Sequence, residues 1–180
     1  MKPSIPAPST QLITLPASLG QTSGMTLPEF RSLVQKVTAR IAGASLDPAL
    51  ENRLNQEFPP ESDVFRALYS ACREGIAHGW LSTQGGGKRR FGRVFEPAPD
   101  LAGFSVDVVD IDDLVGNYHR HPTGEIDLIM PVTPAATFDA RGAGWLVYRP
   151  GSGHRPTVKK GRALILYLLP GGRIEWSSKY

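Results

Sequence analysis

The sequence predicts an α+β fold, with an N-terminal helical segment packed on a C-terminal β-sandwich or small barrel. Three observations carry this. Apolar residues recur at helical spacing only between residues 26 and 79. Beyond Gly79 the apolar runs are short, rich in β-branched and aromatic residues, and divided by Gly and Pro turns. The chain has 180 residues, the size of one domain with an appendage at a soft ~150 residues per domain. The expected organisation is a Pro-rich arm over 1–25, a three-helix segment over 26–79 and a β domain over 80–180.

The arm holds Pro3, Pro6, Pro8 and Pro16 among Ser, Thr and Gln, a density that breaks regular structure; its patch Leu12, Ile13 and Leu15 could dock on the body or on a neighbouring copy. Thr26 and Glu29 have capping-box spacing, and Phe30, Leu33, Val34, Val37 and Ile41 follow on one stripe. Asp47-Pro48 starts a second helix that Pro59-Pro60 ends. A third runs from about Ser62, with Phe65, Leu68, Tyr69, Cys72 and Ile76 on its stripe and Gly79 as its stop. Strands are expected at Phe91 to Phe95, Phe104 to Val109, Tyr118 to Met130 with interruptions, Trp145 to Tyr148, Ala163 to Leu169 and Ile174 to Trp176.

Composition removes several classes of function. The formal net charge is +3, too little for the basic stripe of a nucleic-acid binder. No apolar run approaches the ~20 residues that span a bilayer, and no apolar signal segment opens the chain. A cytoplasmic protein without nucleic-acid or membrane partners is the expectation. The single Cys72 excludes a disulfide framework and a multi-Cys metal site, and its place on a helix stripe reads as packing. His78 reads as a cation at a helix C-terminus. Gly85-Gly86-Gly87-Lys88 lacks the spacing of a phosphate loop, so no nucleotide cofactor is expected.

The chemistry concentrates in three histidines. His119 and His121 stand two apart, so on a strand both rings face one side, and Glu125 has the same parity. His154 follows the tight turn Pro150-Gly151-Ser152-Gly153 and can return to the first pair. Three imidazoles and a carboxylate suit one divalent ion such as Zn, Mn, Fe, Co or Ni; without metal the same groups would make an acid/base site.

The spacing H-x-H-x-x-x-E, a Gly-rich turn and a third His resemble the cupin superfamily of small β-barrels, whose motifs hold a metal through three His and one Glu. Three longer stretches resemble the bacterial 4-hydroxylaminobenzoate lyase family: Gly116 to Pro131, Gly142 to Val158 and Gly161 to Trp176. The helices and Arg90-Phe91-Gly92-Arg93-Val94 do so as well. The resemblance implies a cupin-like β-barrel and an ammonia-releasing lyase of nitroaromatic catabolism, which converts 4-hydroxylaminobenzoate to 3,4-dihydroxybenzoate (protocatechuate). It implies His119, His121, Glu125 and His154 as catalytic and metal-holding residues, with Glu125 the proton shuttle.

The benzoate carboxylate calls for an arginine, since the guanidinium fork matches two oxygens. Arg90, Arg93 and Arg155 are the candidates, whereas Lys88 and Arg89 read as a solvated loop and Arg120 alternates outward. Asp127 shares the face of Glu125 and joins the substrate-binding set; Trp145 and Tyr148 would wall an aromatic pocket, although barrel aromatics are more often core. The expected partner is a small aromatic carboxylate, with a homodimer or higher homo-oligomer expected by analogy. Two other readings use the same pocket: a metal-dependent cupin dioxygenase or isomerase on a small aromatic or keto acid, and a non-catalytic module that binds a small carboxylate.

Overall fold

The computed structural model describes residues 24–176. Apart from its last two residues, the expected Pro-rich arm, with its Leu12, Ile13 and Leu15 patch, lies outside the described residues. Three helices come first: α1 (Leu27–Ile41), α2 (Pro48–Glu57) and α3 (Asp63–Ala77). Their caps are those the sequence predicts. Thr26 and Glu29 form a reciprocal capping box, the Asp47 carboxylate accepts from the amides of Ala49 and Leu50, and the Ser62 hydroxyl accepts from Phe65. Each satisfies amides that a helix start leaves orphaned. No helix among the described residues is long and apolar enough to cross a membrane.

Ten strands follow: β1 (Gln84–Gly86), β2 (Arg89–Phe95), β3 (Phe104–Val115), β4 (His119–His121), β5 (Glu125–Pro131), β6 (Thr137–Phe138), β7 (Gly144–Tyr148), β8 (Ser152–His154), β9 (Thr157–Pro170) and β10 (Glu175–Trp176). All pairings are antiparallel. One sheet runs β1-β2-β3-β9-β5-β7 with β6 added on β9, and a second runs β10-β4-β8. The strands form two antiparallel sheets and the large sheet does not return on itself, so the pairing does not close the cupin-like β-barrel that the motifs imply. The expected strand over Tyr118 to Met130 is likewise two strands in different sheets. Gly124 at φ 85° makes the break, and a Cβ there would meet the Tyr148 carbonyl oxygen at 2.7 Å, so only glycine lets the chain cross there.

Alternation along the long strands makes two cores. Val106 and Val108 of β3, Ile126, Leu128 and Met130 of β5, and Leu164, Leu166 and Leu168 of β9 face the helices, packing with Phe30, Leu54, Leu68 and Cys72. The next residues along face the other way. Ile129, Ile165, Tyr167 and Leu169 build a smaller inner cluster with Phe138 and Ile111. Burial raises the Cys72 thiol far above its ordinary range, so it stays a protonated packing residue.

The free edge of the large sheet is covered by α2. The Asn55 side chain accepts from Trp145 N at 2.9 Å and donates to Trp145 O at 2.8 Å, while Glu51 accepts from Val147 N at 3.0 Å. A side-chain amide thus replaces a missing neighbouring strand. Asn55→Leu would leave both Trp145 backbone groups buried and unpaired. It is expected to lower unfolding free energy by about 2–4 kcal/mol, since each orphaned group costs ~1–3 kcal/mol. Urea unfolding checks this, and a loss below about 0.5 kcal/mol would show that the edge does not depend on Asn55.

Candidate active site

The inner face carries the chemistry. In β4, His119 and His121 point the same way, with ring centroids 4.6 Å apart. His154 on β8 sits directly opposite His119 in the strand register, with its ring centroid at 4.8 Å. Glu125 comes from the facing sheet, at the first position of β5. The Nε2 atoms of His121 and His154 are 3.2 Å apart, and each approaches one Glu125 oxygen, at 3.2 Å and 3.4 Å respectively. The donor atoms of all four residues lie within 4.8 Å of one another.

Electrostatics in this cluster are set by burial. Desolvation first, then the neighbouring imidazoles, lowers His119 to about 4 and His121 to about 3, so both rings are neutral at pH 7 with lone pairs available. The approach of His121 to Glu125 is accordingly not a charge pair. Glu125 and Asp127 are completely buried, and desolvation raises both well above the usual carboxylate range. Beyond their approach to one another, neither carboxyl has a hydrogen-bond partner among the described residues, nor does His121 Nδ1.

Orphaned buried polar atoms of this kind call for a partner. The donor spacings of 3.2–3.4 Å match the edges, ~3.0–3.4 Å, of a coordination shell with bonds of about 2.1 Å. His119, His121, Glu125 and His154 therefore fit a divalent ion, which they could hold as a borderline N/O set. Two of the rings are held by their far nitrogens. Asn117 O lies 3.2 Å from His119 Nδ1, and Asp139 Oδ2 lies 2.5 Å from His154 Nδ1. Asp139 also accepts from the Tyr148 hydroxyl at 2.5 Å and from Thr157 N at 2.8 Å. Burial alone would raise Asp139, but these hydrogen bonds outweigh it and keep the carboxylate charged. Hydrogen bonds to the far ring nitrogen are the kind that orient imidazoles able to hold a metal.

A cavity of about 450 Å³ opens beside the cluster, and Glu125 and His119 form part of its wall. The rest comes from inner-face positions: Phe91 and Arg93 of β2, Asp107 and Val109 of β3, and Tyr167 of β9. Arg93, Asp107, Tyr167 and Asp127 lie in one cross-strand row. Trp176 of β10 packs on the His119 ring at 4.8 Å while remaining 61% exposed, so it stands at the mouth.

The structure sorts the expected substrate-binding residues. Arg93 is on the wall, but it is bound to Asp107 at 3.0 Å, Glu96 at 3.2 Å and the Gly172 carbonyl at 3.0 Å. Arg90 alternates to the opposite face of β2 and does not line the cavity; Arg155 is exposed and does not line it either. Trp145 belongs to the helix-facing core, where its Nε1 donates to the Phe58 carbonyl at 2.9 Å. Tyr148 supports Asp139 instead of walling the cavity. Asp127 is buried next to Glu125 on β5 and is not on the cavity wall. Arg120 is exposed, as alternation predicts. Arg89, read from sequence as solvated loop, is the first residue of β2 and lines the cavity. Parity with Arg93 could have placed it there once β2 was known to start at 89. Asp139 carried no sequence signal.

Chelator-treated protein is expected to take up one equivalent of a divalent ion such as Zn²⁺ or Mn²⁺ and to melt at higher temperature when loaded. His121→Ala should abolish uptake, and Asp139→Asn should weaken it about 10–100-fold. Calorimetric titration and thermal melts measure both. Equal affinity in wild type and His121→Ala would place the ion elsewhere.

The family model PnbB, 4-hydroxylaminobenzoate lyase, matches residues 32–176. A 4-hydroxylaminobenzoate lyase of Pseudomonas putida is 29% identical over 155 residues, 77% of this chain and 88% of the relative. Another, from Nocardioides sp. (strain LMS-CY), is 32% identical over 136 residues, 71% of this chain and 80% of the relative. Among solved structures, the DMSP lyase DddQ from Ruegeria pomeroyi DSS-3 shares the fold with a TM-score of 0.50 at 16% identity, covering 84% of this chain and 98% of that one. The match over residues 32–176 spans most of α1, the other helices and every strand, so the chain belongs to the 4-hydroxylaminobenzoate lyase family.

Proposed function

We propose that the protein converts 4-hydroxylaminobenzoate and one net water to 3,4-dihydroxybenzoate and ammonia. The observation that carries this, beside the family, is a completely buried carboxyl, Glu125, which desolvation raises well above the usual carboxylate range and which opens into a cavity walled by Phe91, Val109 and Tyr167. A single substituted benzene ring is well matched to such a space, which is apolar with a few convergent polar groups.

Desolvation keeps the Glu125 proton in place at neutral pH, so the group is a general acid before it is a base. Glu125 gives that proton to the hydroxylamino oxygen. The N–O bond breaks with both electrons passing to oxygen, which leaves as water. The ring is then electron-poor at the carbon ortho to the one that bears nitrogen, and water adds there, leaving a C=N bond to the nitrogen. Its proton returns to the Glu125 carboxylate. A second water adds to the C=N carbon, nitrogen leaves as ammonia, and the hydrogen on the hydroxylated carbon passes to the new carbonyl oxygen as the ring regains aromaticity; two waters enter and one leaves. Asp127, adjacent on the same face and also raised by burial, is placed to share the proton with Glu125. A divalent ion held by His119, His121 and His154 alone, with Glu125 uncoordinated and keeping its proton, would supply Lewis acidity beside this carboxyl.

Incubation with 4-hydroxylaminobenzoate should release ammonia and 3,4-dihydroxybenzoate in equal amounts. Glu125→Gln should lower kcat about 10²–10⁴-fold, the usual contribution of a positioned acid/base group, while the melting temperature is retained. Full activity in that variant would remove Glu125 as the shuttle. Oxygen consumption in place of ammonia release would make the protein a dioxygenase, and tight binding without turnover would make it a binding module.

A further inference from the structure

The wall of the cavity carries two arginines, Arg89 and Arg93, and they differ in their engagements. Arg93 is neutralised by Asp107 and Glu96 and tied to the Gly172 carbonyl, so its donors are spent on the protein. The Arg89 guanidinium has no hydrogen bond or ion pair with any described residue. Its guanidinium carbon lies 4.8 Å from the centroid of the Phe91 ring, itself part of the wall. Stacking of this kind fixes the guanidinium plane while leaving its N–H fork free. The side chain is half-buried, and its charge reaches the His119 ring, where it opposes protonation.

An unpaired guanidinium in a largely apolar cavity is a site for an anion with two coplanar oxygens. We propose that Arg89 is the carboxylate anchor of the cavity and selects aromatic acids over neutral aromatics. Resting on the reading of the cavity as the site of a hydroxylamino-aromatic acid, the assignment names the residue that recognises the acid. With the carboxylate on Arg89 and the ring against Phe91, the para substituent points along the cavity toward His119 and Glu125. Arg93 keeps a different task. It ties β2 and Asp107 to the turn at Gly172, which leads into Trp176 at the mouth.

The test uses benzoate as a non-reacting probe and hydroxylaminobenzene as a substrate without the acid group. Wild type is expected to bind benzoate. Arg89→Met, which keeps the aliphatic stem over Phe91, should weaken that binding at least about thirtyfold, the usual cost of truncating one partner of a desolvated charge pair. The same variant should lose kcat/KM on 4-hydroxylaminobenzoate by a similar factor and change little on hydroxylaminobenzene. Should the Met variant not fold, Arg89→Lys carries the test: it keeps the charge, loses the fork, and should still weaken benzoate severalfold. Unchanged benzoate affinity in the folded variant, or no benzoate binding in wild type, overturns the assignment whatever the turnover. Benzoate binding that depends on Arg89 without ammonia release from 4-hydroxylaminobenzoate would sink the proposed reaction and leave the anchor standing.

Discussion

Glu125 and Asp127 are carboxyl groups sunk completely into the protein, side by side on one face of β5, with no hydrogen-bond donor from the described residues beyond one another. Isolated ionised carboxylates cannot be held in such a place, so both keep their protons at pH values where exposed acids have lost them. The opposite face of the same strand offsets the burden. Ile126, Leu128 and Met130 are buried against the helices, and full burial of each such side chain is worth ~1.5–3 kcal/mol. The helical segment is thus the structural condition for the site. Without helices over its outer face, β5 would bury acids on one side and expose apolar residues on the other.

Orientation of the histidines depends on groups far away in sequence. Asp139 follows the two-residue strand β6 and adopts φ 45°, with Ala140 at φ 65°. That left-handed pair turns the Asp139 carboxylate back toward His154, Tyr148 and Thr157. Two consecutive non-glycine residues in this region cost of order 1–3 kcal/mol each, and the three hydrogen bonds on one carboxylate are what hold them there. The same carboxylate is kept anionic by those bonds, so His154 always meets a charge acceptor at Nδ1 and presents Nε2 to the cluster.

The helices were fully legible in sequence because caps and stripes are local. Thr26, Asp47, Ser62 and Gly79 each specify a boundary through neighbours a few residues away. The histidine cluster was legible for a related reason: parity put His119 and His121 on one side, and a tight turn brought His154 back. What sequence did not disclose was non-local. β3 runs on to Val115 and β9 starts at Thr157, past charged residues that break the apolar pattern; among them Arg162 pairs with Asp110 at 2.6 and 2.7 Å across the sheet. Sheet closure, the break between β4 and β5, and the burial of Trp145 under α2 all depend on which face another element covers. Arg89 was misread for the same reason. A charge run looks like solvent until the strand that carries it is known to face a cavity.

The resemblance to DddQ, at 16% identity over most of both chains, concerns the frame only, and the alternation of the strands explains how a frame can be shared without its chemistry. Residues that face the helices, such as Val106, Val108, Leu166 and Leu168, fix how the sheet packs. Residues between them, such as Asp107, Val109, Tyr167 and Leu169, fix what the cavity can hold. The two sets interleave along the same strands yet touch different partners. Substitution at inner positions can therefore change the ligand while the helix-facing core stays intact. In this chain the inner set pairs most of its own charge, Arg93 with Asp107, and leaves protonated acids and neutral imidazoles at one part of the wall and a stacked guanidinium at another. That uneven distribution of charge gives a ring with different ends one orientation in the cavity.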